Sequence, residues 1–428
     1  MHLLNFQHLL WSAAFSLPRR LTPAPQTHGI LRRFVPDGSK GLIEVLRIAQ
    51  AEELDIWQIG KDSVDIYSPP FSPSLPSALL STQHSINNIS VPELRPRLRH
   101  PNWDLSSLEN TSFHAEFHRQ AELGHSGEER EMLGMKISTP NKTAKLGFIV
   151  LGPQHAREWV ATSTALYLAH ALLANASEPH SLAYLLDVYD FHIIPSPNPD
   201  GYEYTWDADR FWYKNRQIVG PGAKCIGIDM NRSGDHWKPH AKYPLLWEDD
   251  DFKKKKKKKA EPADPCSHWY PGHRAFEAPE VNNLANYITK VNGVGKGAGK
   301  GGIVAFLDLR SYGQMLAAPY SYKCDKIPKD AEDQMEALLG AAQAGKSAYG
   351  TQFTTGTLCE LLYRAPGNII DYVYKAAGIK YTYAAFLRDT GTYGFAIPPA
   401  WIRPVGEETG VMVEYLARFI ARQRGIPL

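Results

Sequence analysis

Three apolar runs and one helical repeat constrain this chain more than any other feature. Lys145 to Leu151 has strand character and runs into Gly152-Pro153. Glu158 to Ala174 follows with helical apolar spacing through Val160, Leu166, Leu168 and Leu172. Tyr189 to Ile194 and Ile303 to Leu309 are two further buried-strand patterns. Strands that alternate with helical segments predict an α/β fold, a mixed, mainly parallel sheet flanked by helices. Such sheets carry their sites in loops at the carboxyl ends of strands. The densest polar cluster, Pro153 to Glu158, lies at such an end.

A smaller unit precedes this region. Ile30 to Val35, Leu54 to Trp57 and Val64 to Tyr67 read as strands. Leu42, Val45, Leu46 and Ile48 give a helix its apolar face, with Ser39 as N-cap. Residues 76–115 are poor in periodic apolar positions and carry Arg95, Arg97 and Arg99, so they read as a protease-accessible linker. Loops 239–260 and 292–302 look inserted. The first holds seven consecutive lysines, Lys253 to Lys259, a solvated charge run. The second is glycine-rich, but Gly301 stands where a phosphate-binding loop needs Ser or Thr.

Charge and cysteine content narrow the function. The 428 residues include 47 Lys+Arg and 45 Asp+Glu. Without the lysine run, 40 basic residues face 45 acidic ones, which argues against a nucleic-acid binder. No stretch of apolar residues is long enough to span a membrane. The four cysteines form no Cys-x-x-Cys pair; they fit two disulfides in an oxidising compartment, or four buried thiols in a reducing one. Residues 1–20, mostly apolar from Leu3 to Leu17 with Gln7 and His8 as interruptions and ending Pro18-Arg19-Arg20, resemble a signal peptide and favour secretion or the vacuole. Sequons at Asn88, Asn110, Asn141 and Asn175 agree with that route.

His155-Ala-Arg-Glu158 spaces a histidine and a carboxylate three apart, which suits two ligands of one zinc ion. Downstream come Asn198-Pro-Asp-Gly-Tyr202, Arg210-Phe-Trp-Tyr-Lys-Asn-Arg216 and Cys225-Ile-Gly-Ile-Asp-Met-Asn-Arg232. Ser311-Tyr-Gly-Gln314, Tyr363-Arg-Ala-Pro-Gly-Asn-Ile-Ile-Asp371 and Leu387-Arg-Asp-Thr-Gly391 complete the series. In this order the motifs resemble the zinc carboxypeptidases of the A/B family, over residues 116–428. Residues 21–75 resemble that family's α+β propeptide, which covers the active-site cleft. A first helix that the family has between positions like Phe113 and Gly124 is missing or very short.

The resemblance implies roles residue by residue. His155 and Glu158 match two zinc ligands, and Arg157 matches a substrate-contacting arginine. Asn231 and Arg232 match the pair that holds a peptide's C-terminal carboxylate, a task suited to a guanidinium fork. Tyr363 matches the tyrosine that closes over substrate, and Ile370 the base of an apolar specificity pocket. The resemblance also implies disulfides Cys225–Cys266 and Cys324–Cys359. Three positions depart from the pattern. Arg310 replaces the third zinc histidine, Phe386 replaces the catalytic glutamate, and Tyr213 replaces an arginine that polarises the scissile carbonyl. Zinc is the implied cofactor, and Arg310 argues against its retention; an Arg310–Glu158 ion pair in place of the metal is the expected state.

The pattern is nearest to the fungal inactive metallocarboxypeptidase-like proteins linked to cell-wall organisation. The expected function is a monomeric pseudoenzyme that binds peptide or protein C-termini. Two alternatives stand beside it: a residual zinc carboxypeptidase that releases aliphatic or aromatic C-terminal residues, and a secreted scaffold with a vestigial pocket.

Overall fold

A computed structural model describes residues 27–91, 118–140, 145–234, 264–293 and 302–428. The signal-like segment, the Arg95–Arg99 stretch, Phe113, Asn110, Asn141, loop 239–260 with its lysine run, and most of loop 292–302 lie outside the described residues.

The main domain is built on an eight-stranded sheet. Its strands are β5 (His118–His125), β6 (Glu131–Ile137), β7 (Leu146–Leu151), β8 (Tyr189–Ile194), β9 (Ile303–Arg310), β10 (Met315–Ala318), β11 (Thr354–Thr357) and β12 (Tyr381–Phe386), in the spatial order β11-β10-β12-β9-β7-β8-β6-β5. The four central strands, β12-β9-β7-β8, run parallel. Antiparallel pairs β10–β12, β6–β8 and β5–β6 flank them. The expected mixed, mainly parallel α/β sheet is therefore present.

Side-chain alternation divides the core between the two faces of this sheet. Phe148, Val150, Phe191 and Leu307 point to one face, with α3 (Trp159–Leu173), α6 (Ala331–Tyr349) and α9 (Ile402–Gln423) packed there. Ile149, Leu151, Phe306 and Phe386 point to the other, toward α5 (Pro279–Asn292) and α8 (Ile369–Lys375). Both faces are covered, so these strands are continuously apolar rather than alternating.

The N-terminal unit is a four-stranded antiparallel sheet in the order β2-β3-β1-β4. It comprises β1 (Thr27–Phe34), α1 (Gly38–Ala51), β2 (Asp55–Ile59), β3 (Val64–Ser68), the single turn α2 (Ser77–Leu80) and β4 (His84–Val91). Leu42, Val45, Leu46 and Ala49 of α1 pack on Phe34, Ile56, Val64 and Ile66. The opposite face presents Leu31, Trp57, Tyr67 and Ile89 to the main domain.

Two local expectations are corrected. Helix α1 begins one residue before Ser39, and Asp37 is its N-cap, with no side-chain cap bond. The segment read as linker from residue 76 contains α2 and β4, and β4 pairs with the whole of β1. Only Ile89 of β4 is fully buried, so this edge strand leaves almost no apolar alternation in the sequence.

Phe306 is fully buried in the central strand β9. Phe306→Ala should therefore cost about 3–5 kcal/mol, read as a lowered urea midpoint with an unchanged slope.

Candidate active-site cleft

Three parallel strands end side by side and set the site's floor. Strand β7 stops at Leu151 and releases Gly152-Pro153-Gln154-His155. A side chain at Gly152 would sit 2.1 Å from the Pro195 carbonyl, so only glycine lets the loop leave there. Strand β9 ends on Arg310 and β12 on Phe386, and the two residues are register partners. Helix α3 starts after Glu158, its N-cap, whose side chain makes no cap bond. That carboxylate is committed elsewhere.

Arg310 and Glu158 meet as a fork. Arg310 Nε donates to Glu158 Oε2 at 3.1 Å and Nη2 to Oε1 at 3.0 Å. The backbone N–H of Ser311 donates to Oε2 at 3.0 Å. The remaining Nη2 hydrogen faces His155 Nδ1 in a short contact. Both ring nitrogens of His155 also face carboxylates: Nδ1 lies 2.8 Å from Glu158 Oε1 and Nε2 lies 2.9 Å from Asp229 Oδ1. Arg310 Nη1 lies 3.5 Å from Asp308 Oδ2. All five of these side chains are buried, none more than 4% exposed.

Burial and charge set the protonation of this cluster. Burial alone raises the Glu158 carboxyl, but Arg310 and His155 beside it outweigh that and hold it at about 2. Burial works against the Arg310 charge, yet Glu158 and Asp308 keep it firmly cationic. Asp308 has only long contacts to Arg310 and to Gln154, both at 3.5 Å, and burial pushes it up to about 7. Asp229 is held below the usual carboxylate range despite its burial, chiefly by His155 and Arg232.

These side chains do not fit a zinc ion as they stand. Catalytic zinc ordinarily takes three protein ligands and an open position. Here two candidate ligands remain, and a guanidinium uses both Glu158 oxygens and faces His155 Nδ1. Among the described residues no group of three or more His, Cys, Asp or Glu side chains is placed to hold a metal.

The other expected site residues are distributed unevenly. Tyr213 stacks flat on His155, with ring centroids 3.7 Å apart. Phe386 lines the cleft, with the Arg310 guanidinium 5.8 Å from its ring centre. Asn231 and Arg232 sit on a 3-10 turn whose cap is Asp229, which accepts from the Asn231 N–H at 2.9 Å. Arg232 Nη2 donates to the Tyr363 hydroxyl at 2.7 Å. Arg157, matched to a substrate contact, instead donates to Asp55 Oδ1 at 2.9 Å and to the Ile56 carbonyl at 3.0 Å, both on β2. Ile370 is a correction: it is fully buried in the core and does not line the cleft, where Leu358, Leu362, Ala365 and Asn368 do. It is the second residue of helix α8 and belongs to the core cluster of Ile149, Phe306 and Phe386. Cys225–Cys266 and Cys324–Cys359 are both disulfide-bonded.

Some members of the cluster carry a signal that the sequence reading did not use. Asp308 lies two residues before Arg310 on a strand, hence on the same face. Asp229 stands inside the Cys225–Arg232 motif. His192 is structural; its Nδ1 pairs with the Tyr287 hydroxyl at 2.7 Å.

Known proteins resemble this chain. The zinc carboxypeptidase family profile matches residues 108–411. A metallocarboxypeptidase A-like protein of Trichophyton verrucosum is 36% identical over 287 residues, 67% of this chain and 61% of its own length. An inactive metallocarboxypeptidase, ecm14, of Sclerotinia sclerotiorum is 32% identical over 332 residues, 72% of this chain and 51% of its own length. The chain thus spans only about half to three-fifths of these curated relatives. The crystal structure of thrombin activatable fibrinolysis inhibitor aligns with a TM-score of 0.74 over 92% of this chain and 99% of that one, at 25% identity.

Two outcomes follow for the buried cluster. Glu158→Gln strands the Arg310 charge and should cost about 3–5 kcal/mol, whereas Glu158→Gln combined with Arg310→Met should cost clearly less than the two single changes summed. Denaturant midpoints of the four proteins check this. Asp308 binds its proton more tightly folded than unfolded, so its contribution is present below about pH 4 and is lost as pH rises to about 7. Asp308→Asn should accordingly gain stability relative to the parent between pH 4 and pH 8, and a pH-independent difference would contradict this.

Proposed function

The chain belongs to the zinc carboxypeptidase family, and from that premise we propose that it is a non-catalytic member in which Arg310 supplies the positive charge otherwise brought by zinc. One observation carries the reading: the Arg310 guanidinium holds both oxygens of Glu158 and faces His155 Nδ1. Zinc in this family acts as a Lewis acid on the scissile carbonyl and on water. A guanidinium has no open coordination position, so it stabilises the buried anions without offering that chemistry.

The neighbouring positions point the same way. Phe386 has no group that accepts a proton, and loss of a general base typically removes about 10²–10⁴ in rate. Tyr213 lies against His155 rather than reaching across the cleft as a cation. Burial also drives its hydroxyl well above the ordinary value, so it is neutral.

What remains is a recognition site. Asn231 and Arg232 keep the chemistry to bind a peptide's C-terminal carboxylate, with Tyr363 as the present partner of Arg232. A second reading, a scaffold that works through its surface, is favoured by the space available. The cavity beneath β2 measures about 70 Å³, room for a few water molecules rather than a peptide terminus. Two disulfides and exposed sequons at Asn88 and Asn175 support a secretory-pathway location. A role in cell-wall organisation enters this proposal from the likeness to the fungal inactive members.

Elemental analysis of the purified protein, with no metal added, tests the reading. Zinc per mole should be near zero, and Arg310→His should raise it toward one by restoring a third ligand. Zinc near one in the parent would overturn the proposal, and release of C-terminal Leu or Phe, blocked by a chelator, would then identify a residual peptidase.

A further inference from the structure

The two edges of the small sheet are finished differently. In the order β2-β3-β1-β4, β2 and β4 are the outer strands. Strand β2 shifts register between Ile56 and Gln58. Strand β4 pairs with β1 along all eight of its residues without a shift, so its outer edge is regular. Native edge strands are ordinarily guarded by a charge, a proline or a bulge against pairing with another chain. The β4 sequence, His-Ser-Ile-Asn-Asn-Ile-Ser-Val, contains no lysine, arginine, carboxylate or proline.

One face of β4 is also bare. Side chains alternate along a strand. Ile89 turns to the main domain, and Asn87 on the same side donates to the Gly391 carbonyl at 2.9 Å. Ile86, Asn88 and Ser90 take the opposite side, where α1 packs on Phe34, Ile56, Val64 and Ile66. No apolar residue of β4 joins that cluster. Ile86 is accordingly 56% exposed, opposite Arg32 of β1. Asn88 is exposed opposite Ile30, and among the described residues its side chain makes no polar contact.

Asn88-Ile89-Ser90 is a complete acceptor for N-linked glycosylation, with a hydroxyl two positions on and no proline between. We propose that Asn88 carries an N-linked glycan that guards β4, covering Ile86 on the same face and denying the open edge to a second copy of the chain. Two residues along a strand span about 7 Å, within reach of the first sugars. The inference rests on the secretory-pathway location proposed above. In the transfer, the Asn88 amide nitrogen gives up a proton and bonds to the anomeric carbon of the first sugar. That carbon's bond to a lipid-diphosphate donor breaks, and the diphosphate leaves with the bonding electrons. Asn175 serves as a reference acceptor: it is exposed in the turn after α3, where its Oδ1 accepts from the Ser177 N–H at 3.0 Å and hydroxyl at 2.9 Å.

The test uses the full chain secreted from a eukaryotic host. Digestion with peptide N-glycosidase in heavy-oxygen water turns a glycosylated asparagine into labelled aspartate, and peptide masses should place that label at Asn88. Asn88→Gln and Ser90→Ala each remove the glycan by a different change, and circular dichroism of both must match the parent. In sedimentation velocity both should self-associate at micromolar and higher concentrations, where the glycosylated parent stays a single chain. Ile86→Lys added to Ser90→Ala should restore the single chain. An unlabelled Asn88 beside a labelled Asn175 would overturn the proposal alone, whereas no label at either would overturn the secretory-pathway reading with it. A glycosylated Asn88 whose loss leaves both variants monomeric would overturn the guarding role.

Discussion

A single buried guanidinium–carboxylate fork links the end of β9 to the start of α3, and the arrangement of the cleft depends on it. Glu158 is the N-cap of α3, yet its oxygens are taken by Arg310 and the Ser311 N–H rather than by the helix. Remove the arginine and the fully buried Glu158 keeps only His155 and the Ser311 N–H as partners. Replace both partners by apolar groups and the demand disappears. Buried ion pairs often contribute little net stability compared with apolar substitutes, while half of one is strongly destabilising. The pair therefore fixes which arrangement forms more than it strengthens the fold.

The same charge logic explains the neighbours. His155 is clamped between Asp229 on Nε2 and the Arg310 guanidinium on Nδ1, and Tyr213 closes over its ring. Asp308 is left as the excess acid of the cluster and answers by holding its proton up to about pH 7. A divalent ion in this place would need the Glu158 oxygens and the His155 nitrogen that Arg310 already contacts. The positive charge that faces Glu158 comes from within the chain.

A second consequence concerns access. Arg157 lines the cleft but donates to Asp55 and Ile56 of β2, and Trp57, Tyr67 and Asp65 tie the small sheet to Tyr312 and Phe395. The unit that lies over the site shares a separate apolar cluster with Tyr312 and Phe395, and Asp65 joins Arg33 of its own sheet to the Tyr312 hydroxyl.

The sequence by itself determined the central sheet, since strands buried on both faces must be continuously apolar, as Leu146–Leu151 and Ile303–Leu309 are. It also carried the residue identities on which the proposed loss of zinc chemistry rests, Arg310, Phe386 and Tyr213 at the motif positions. It did not reveal β4, whose one buried residue leaves no periodicity, nor that Ile370 turns into the core. It could not reveal that Arg157 would find Asp55, 102 positions away. Local patterning records which residues avoid water; only the tertiary structure decides which buried charge meets which, because that choice depends on contacts between segments far apart in the chain.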